Sequence, residues 1–288
     1  MKVCLQIALL AGLSAGVLLA DASYTQVTKF TGGTAIDMAK KMADMPLIGR
    51  IGGGAMRNAF EDQHYDVYVK GNKMARLGGT VSTIYDLDAG TVTTINNTKQ
   101  SYSTMTFDEM REQMEKMQQR MNKNKGSGGD LQFDVKVDKT GETRTINGVT
   151  ATETVMTMTA KQESASGQMV VKTHLWLVPL SASTREVMDF ARKLGEKFAY
   201  AYGGSPMMGP ASGGLAAAMK EAFKQDGYPV ETDIEVSGVA MAGPMGGGGD
   251  SSAPFMQMVM QSSNFATGAV DDGKFSVPAG YKEEKRRR

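Results

Sequence analysis

Polar and apolar residues alternate one by one along much of the chain, which is the pattern of β-strands with one buried face. Tyr65, Val67 and Val69 form the first clear run, and Gly71-Asn72 then predicts a hairpin turn into a strand at 74–77. Short polar turns also separate the later runs, so neighbouring strands are expected to pair antiparallel. The other predicted strands are 24–30, 81–87, 92–95, 101–103, 133–137, 156–158, 169–178 and 230–236.

Four segments have helical periodicity instead, with apolar residues three and four positions apart. Thr106-x-x-Glu109 is a capping box, in which side chains satisfy the free backbone N–H groups at a helix start. Ser183-x-x-Glu186 predicts a second helix in the same way, and two more are expected at 34–45 and 215–226. The helix that begins after Thr106 carries an apolar stripe made of Phe107, Met110, Met114, Met117 and Met121.

The N-terminus has the layout of a secretory signal peptide. Lys2 provides a positive charge, Leu5–Leu19 is almost entirely apolar, and Ala20-Asp21-Ala22 has the small-x-small form of a cleavage site. The apolar run is shorter than the roughly 20 residues that a membrane-spanning helix needs. We therefore predict cleavage near Ala22 and export to the periplasm, with an uncleaved anchor as the alternative.

Charge and reactive residues argue against several classes of function. A formal net charge of +1 does not favour nucleic acid as a partner. The single cysteine, Cys4, lies in the predicted signal peptide, so the mature chain is expected to have no disulfide and no thiolate site. The two histidines, His64 and His174, lie in strand patterns. We expect no metal site, no cofactor and no enzymatic activity.

Methionine is unusually frequent, with 23 residues in the chain. Its flexible, polarizable side chain fills irregular cores and also lines adaptable binding surfaces. The stripe on the helix that begins at Phe107 therefore has two interpretations: it packs on the sheet, or it forms one wall of a ligand site.

Several strand–turn segments resemble those of uncharacterised exported proteins related to the outer-membrane lipoprotein carrier proteins. The similarity is patchy, extends from about residue 64 to 281, and concerns the fold instead of catalysis. The segments are His64–Arg76, Thr83–Gly90, Thr94–Tyr102, Ile146–Gly148, His174–Val178 and Gly273–Tyr281.

This resemblance implies an α+β fold, an antiparallel and incomplete β-barrel (a half-barrel) wrapped over several helices, with a hydrophobic concavity for acyl chains. The implied organisation is a signal peptide at 1–22, one carrier-like domain at 23–281 with a helical insert at 181–227, and a disordered tail at 282–288. The candidate ligand-binding residues are the helix stripe already given, Arg76, which is the nearest match to an arginine that helps to close the carriers' cavity, and Trp176.

Two functions follow as expectations. The first is an exported binding or carrier module for an apolar ligand, namely an acyl chain, a lipid or a lipoprotein, in the bacterial envelope. The alternative is a non-catalytic structural or protein-interaction domain of the envelope with a filled core. In either case we expect a monomer that makes peripheral membrane contact or none.

Overall fold

The computed structural model describes residues 21–43, 60–113, 116, 133–164, 167–198, 227–238 and 253–284. Two helices, α1 (Thr34–Ala43) and α2 (Ala182–Phe198), and a helical segment at 107–113 accompany a large sheet. The strands are β1 (Ala22–Gly32), β2 (Gln63–Lys70), β3 (Lys73–Gly78), β4 (Val81–Asp86), β5 (Thr91–Asn96), β6 (Ser101–Thr106), β7 (Phe133–Ile146), β8 (Val149–Ser164), β9 (Gly167–Val178), β10 (Tyr228–Ser237), β11 (Met256–Thr267) and β12 (Lys282–Glu283).

The strands that alternation predicts are all present, because most are joined by short hairpins whose turn residues are visible in the sequence. Gly71, for example, has a φ of 57°, a left-handed conformation that glycine adopts without steric cost, at the turn between β2 and β3. Neither β11 nor the two-residue β12 was predicted. Sequence alternation therefore located ten of the twelve strands that the described residues contain.

All described strands belong to one sheet, in the order β12-β6-β5-β4-β3-β2-β1-β11-β10-β9-β8-β7. Neighbours pair antiparallel except β12 and β6, which are parallel. The terminal strands β12 and β7 do not pair with each other, so the sheet does not close into a barrel. The predicted α+β half-barrel wrapped over several helices is wrong, because one mixed sheet of twelve strands dominates the described residues and only three helical segments accompany it.

Helix capping follows the sequence in one case and departs from it in another. The Thr106 N–H donates to Glu109 Oε2 at 2.9 Å and the Glu109 N–H to Thr106 Oγ1 at 3.1 Å, so the capping box is confirmed. The cap of α2 is formed by Ser181 and Thr184 instead of Ser183 and Glu186. Met114, Met117, Met121 and the predicted helix at 215–226 lie outside the described residues.

Three apolar clusters stabilise the described part of the fold. The first lies where α2 covers β1 and β2, and Phe190 of α2 is 1% exposed there. The second lies on β7 to β10 and centres on Met156 and Met158. The third lies on the opposite face of β3 to β5 from the first, where residues 275–281 pack against Ala75. Apolar residues thus cover parts of both faces of the sheet.

The chain is already part of the fold at the predicted cleavage site. Ala22 begins β1 and is fully buried. Asp21 accepts two backbone hydrogen bonds, from Val270 N–H at 2.9 Å to its carboxylate and from Gly268 N–H at 3.1 Å to its carbonyl. Cleavage near Ala22 would therefore cut at the beginning of a paired strand.

Candidate apolar ligand site

One face of the sheet carries mostly apolar side chains across five strands. Along β11, Met256, Met258 and Met260 occupy alternate positions and so project to the same side. The strand pairing gives two transverse rows, Met256–Val236–Val171–Met158–Val135 and Met258–Ile234–Thr173–Met156–Val137. We call the residues of these two rows, together with Met260, the methionine face.

The methionine face is buried at its centre and partly open at its margins. Met156, Met158, Val171 and Val236 are 3–6% exposed. The methionines of β11 and the two valines of β7 are half-buried. Four strand spacings of about 4.8 Å give the face a width of roughly 19 Å. Its partly accessible apolar side chains therefore lie along two edges, on β11 and on β7, with the buried centre between them.

Arg76 lies on β3, on the same side of the sheet as the methionine face. It pairs with Val67 of the first apolar cluster, and its guanidinium lies 4.4 Å from the centre of the Tyr65 ring. Arg76 Nη2 donates to Gln26 Oε1 at 2.8 Å. The amide of Gln26 in turn donates to Met260 Sδ at 3.0 Å. Gln26 thus links Arg76 to the nearest edge of the methionine face.

Two aromatic residues fix the position of Arg76. Tyr65 packs on Gly78, where an added Cβ would come within 2.8 Å of the ring, so the glycine is required for this close approach. Burial raises the pKa of Tyr85, and the nearby Arg76 offsets part of that rise. The guanidinium is therefore held by neutral groups: an amide oxygen, a ring face and a phenol.

The structure separates the candidate residues that the sequence grouped. Phe107 and Met110 pack against the first apolar cluster, so the described part of the helix stripe is in contact with the sheet. Trp176 also belongs to that cluster, but it alternates with Leu175 of β9 and so faces away from the methionine face. Arg76 is the candidate that lies beside the apolar face.

A polar network across β7 to β11 was not predicted. Arg144 forms an ion pair with the buried Glu231, and its guanidinium lies 4.0 Å from the centre of the Trp176 ring. His174 Nδ1 lies 2.6 Å from Glu153 Oε1. Burial opposes the ionisation of Glu153, but hydrogen bonds with His174 and from Thr140 outweigh it and lower the pKa of this carboxyl. The buried Glu231 is thus ion-paired with an arginine, and the buried Glu153 is hydrogen-bonded.

Other features of the described residues offer little chemistry. An open depression of about 330 Å³ lies beside His64, Asp66 and Leu77. Within the described part of the chain, no three histidine, cysteine or acidic side chains are placed to hold a metal ion. No helix in that part is both long and apolar enough to cross a membrane.

Comparisons with known proteins do not show a family for the chain. No known protein family matches the chain, and no curated protein does. Two solved structures of PNGF-II, in the C2 and P21 space groups, cover 92% of the chain at 8% sequence identity, with TM-scores of 0.30 and 0.28. The chain spans 31% and 32% of their length. At this level of similarity neither the fold nor the activity of PNGF-II transfers to the chain.

Proposed function

We propose that this chain is a binding or carrier module for an apolar ligand that contains an acyl chain, acting in the bacterial envelope. The observation that carries the proposal is the methionine face, an apolar surface five strands wide with accessible margins. The centre of the face is buried and its edges on β7 and β11 are half-buried, so the proposal places the ligand along these edges. Methionine adapts its shape, so the patch suits ligands of variable structure.

The energetics favour reversible binding. Burial of a methylene group contributes about 0.8 kcal/mol, so ten buried methylenes contribute roughly 8 kcal/mol before any cost is subtracted. Immobilising the ligand and ordering its chain reduce this figure. The remainder corresponds to affinities near the micromolar range. A protein that must also release its ligand requires affinities of this order.

The proposal assigns the polar network of Arg144, Glu231, Glu153 and His174 a structural role. Removing one partner of a buried ion pair leaves an uncompensated charge, which is strongly destabilising. The ion pair of Glu231 and the hydrogen bonding of Glu153 support this assignment. It is consistent with a protein that binds without catalysing a reaction.

The test measures binding of a neutral long-chain monoacylglycerol to variants at positions on the two faces of β11. Met256 and Met258 are both replaced by Gln, which has a similar length but a polar end. Val259→Gln is the matched control, because it places the same side chain on β11 but on the opposite face. We expect affinity about tenfold weaker for the double variant, which is ~1.4 kcal/mol, and unchanged affinity for the control.

Two results would contradict the proposal. If the folded wild-type protein binds no acyl ligand, the alternative of an envelope domain with a filled core replaces it. If both variants bind as the wild type does, the methionine face is not the site. Circular dichroism of each variant establishes that it is folded before binding is measured.

A further inference from the structure

Arg76 is a charged side chain without a counter-ion among the described residues. It forms no ion pair there, and its Nε atom is buried without a hydrogen-bond acceptor. Arg144, by contrast, contacts the carboxylate of Glu231. A charge removed from water without a partner is costly, so an unpaired, half-buried guanidinium marks a position that an anion would stabilise.

The neighbours of Arg76 orient the guanidinium without neutralising it. One Nη atom is engaged by Gln26, and Tyr65 supports the planar group from one side. Guanidinium is planar and donates parallel hydrogen bonds, which match the paired oxygens of a carboxylate or phosphate. Because the supporting residues already fix its position, an anion would bind with little loss of side-chain entropy.

The same neighbours place this charge at the end of the apolar surface. Gln26 contacts both Arg76 and Met260, over distances of 2.8 and 3.0 Å. Met260 borders the two rows of the methionine face through Met258 on the same strand. A ligand with an anionic head at Arg76 would thus have its hydrocarbon tail beginning at Met260.

We propose that Arg76 binds the anionic head of the acyl ligand, a carboxylate or phosphate oxygen pair, while the tail lies on the methionine face. This assignment rests on the proposed function and specifies its ligand class as anionic acyl compounds. The shared chemistry comes from two sources, a free fatty acid and a phosphate-headed lipid, and the binding experiment separates them.

The experiment compares three probes of equal chain length below their aggregation concentrations: a fatty acid, a monoalkyl phosphate and a neutral monoacylglycerol. Each is titrated into the wild type, Arg76→Gln and Lys29→Gln. Lys29 is the matched control, because the substitution removes the same charge from an exposed side chain that is paired with Asp62 on the surface. The wild type is expected to bind at least one anionic probe at least tenfold more tightly than the neutral one.

Arg76→Gln is expected to remove that preference while leaving affinity for the neutral probe within a factor of two. Lys29→Gln should change neither. The anionic probe with the larger loss identifies carboxylate or phosphate as the head group. If Arg76→Gln binds the anionic probes as tightly as the wild type, the head-group assignment is wrong although the proposed function stands. If the wild type binds none of the three probes, the proposed function fails first.

Salt dependence of the wild type provides a second measurement should Arg76→Gln fail to fold. Raising the ionic strength weakens ion pairs but not apolar contacts. Affinity for the anionic probe should therefore fall several-fold from low to high salt, towards that of the neutral probe. An anionic preference that does not change with salt would overturn the role of Arg76.

Discussion

Glu186 provides a direct test of how α2 is held on the sheet. This side chain is 4% exposed, and its Oε2 atom has no hydrogen-bond partner among the described residues. Burial raises the pKa of Glu186, and Lys193 opposes part of that rise. The backbone N–H of Gly71, at the turn between β2 and β3, also reaches the carboxyl group. Replacement by Gln removes the charge and retains an oxygen that can accept from Gly71.

The sign of the pH effect follows from the raised pKa of Glu186. The usual pKa of a glutamate is 4.5, and the pKa of Glu186 lies above it in the folded protein. The folded protein therefore binds the carboxyl proton of Glu186 more tightly than the unfolded chain does. The contribution of protonated Glu186 to stability is fully present below pH 4.5 and is lost as the pH rises through the higher pKa of the folded state. The wild type should therefore lose stability from mildly acidic to neutral pH, and Glu186→Gln should lose less.

The size of the effect follows from the contacts of the carboxyl group. A buried polar group without a partner costs about 1–3 kcal/mol, and more when it is charged. Gln still leaves one neutral amide group short of a partner, so only part of this cost is recovered. We expect Glu186→Gln to be about 1 kcal/mol more stable than the wild type at pH 7, with the difference vanishing near pH 4.

Urea denaturation at several pH values between 4 and 8 measures this difference. Trp176, the single tryptophan of the chain, is 8% exposed in the folded state and serves as the fluorescent probe. Glu196→Gln is the control on the same helix, since it makes the same substitution at an exposed side chain. It should change the free energy of unfolding by less than about 0.5 kcal/mol. A pH-independent offset, or a less stable Glu186→Gln at pH 7, would refute the reasoning.

Three further predictions concern stability. Phe190→Ala should lower the free energy of unfolding by about 3–5 kcal/mol, measured by urea denaturation, because it empties a fully buried site; a loss below about 1 kcal/mol would contradict that packing. Thr106→Ala should cost about 1 kcal/mol by removing a helix cap, and Thr106→Ser should restore most of it. A chain that begins at Ser23 should melt at a lower temperature than one that begins at Asp21, which is bound by Val270; equal melting temperatures would show that this contact is dispensable.

The sequence predicts local hairpins well because their determinants lie within a few residues of one another. The meander from β2 to β6 has strands of six to eight residues joined by short polar turns, and each was located correctly. The capping box before residue 107 was predicted for the same reason. Local patterns do not contain the order of distant strands, so they could not show that all twelve described strands form one open sheet.

The contacts around the candidate site were not predictable because they join strands far apart in the chain. Arg76 and Gln26 are separated by 50 residues, and Arg144 and Glu231 by 87. Nothing in either local pattern specifies such a pairing. Arg76 was selected through a resemblance. The property that suggests a role, the lack of a counter-ion among the residues that the structure describes, is visible only in the structure.

The failure to predict β11 explains why the candidate site was incomplete. Methionine recurs at every second position from Met256 to Met260, but Val259 interrupts the alternation of polar and apolar residues, and a glycine-rich stretch precedes the segment. In the structure β11 pairs with β1 on one side and β10 on the other, and so joins the two halves of the sheet. The half-barrel over helices was implied by the family resemblance, and no local pattern shows that β11 unites the two groups of hairpins in one sheet. In the structure the methionines of β11 connect Arg76 to the apolar rows of β7 to β10.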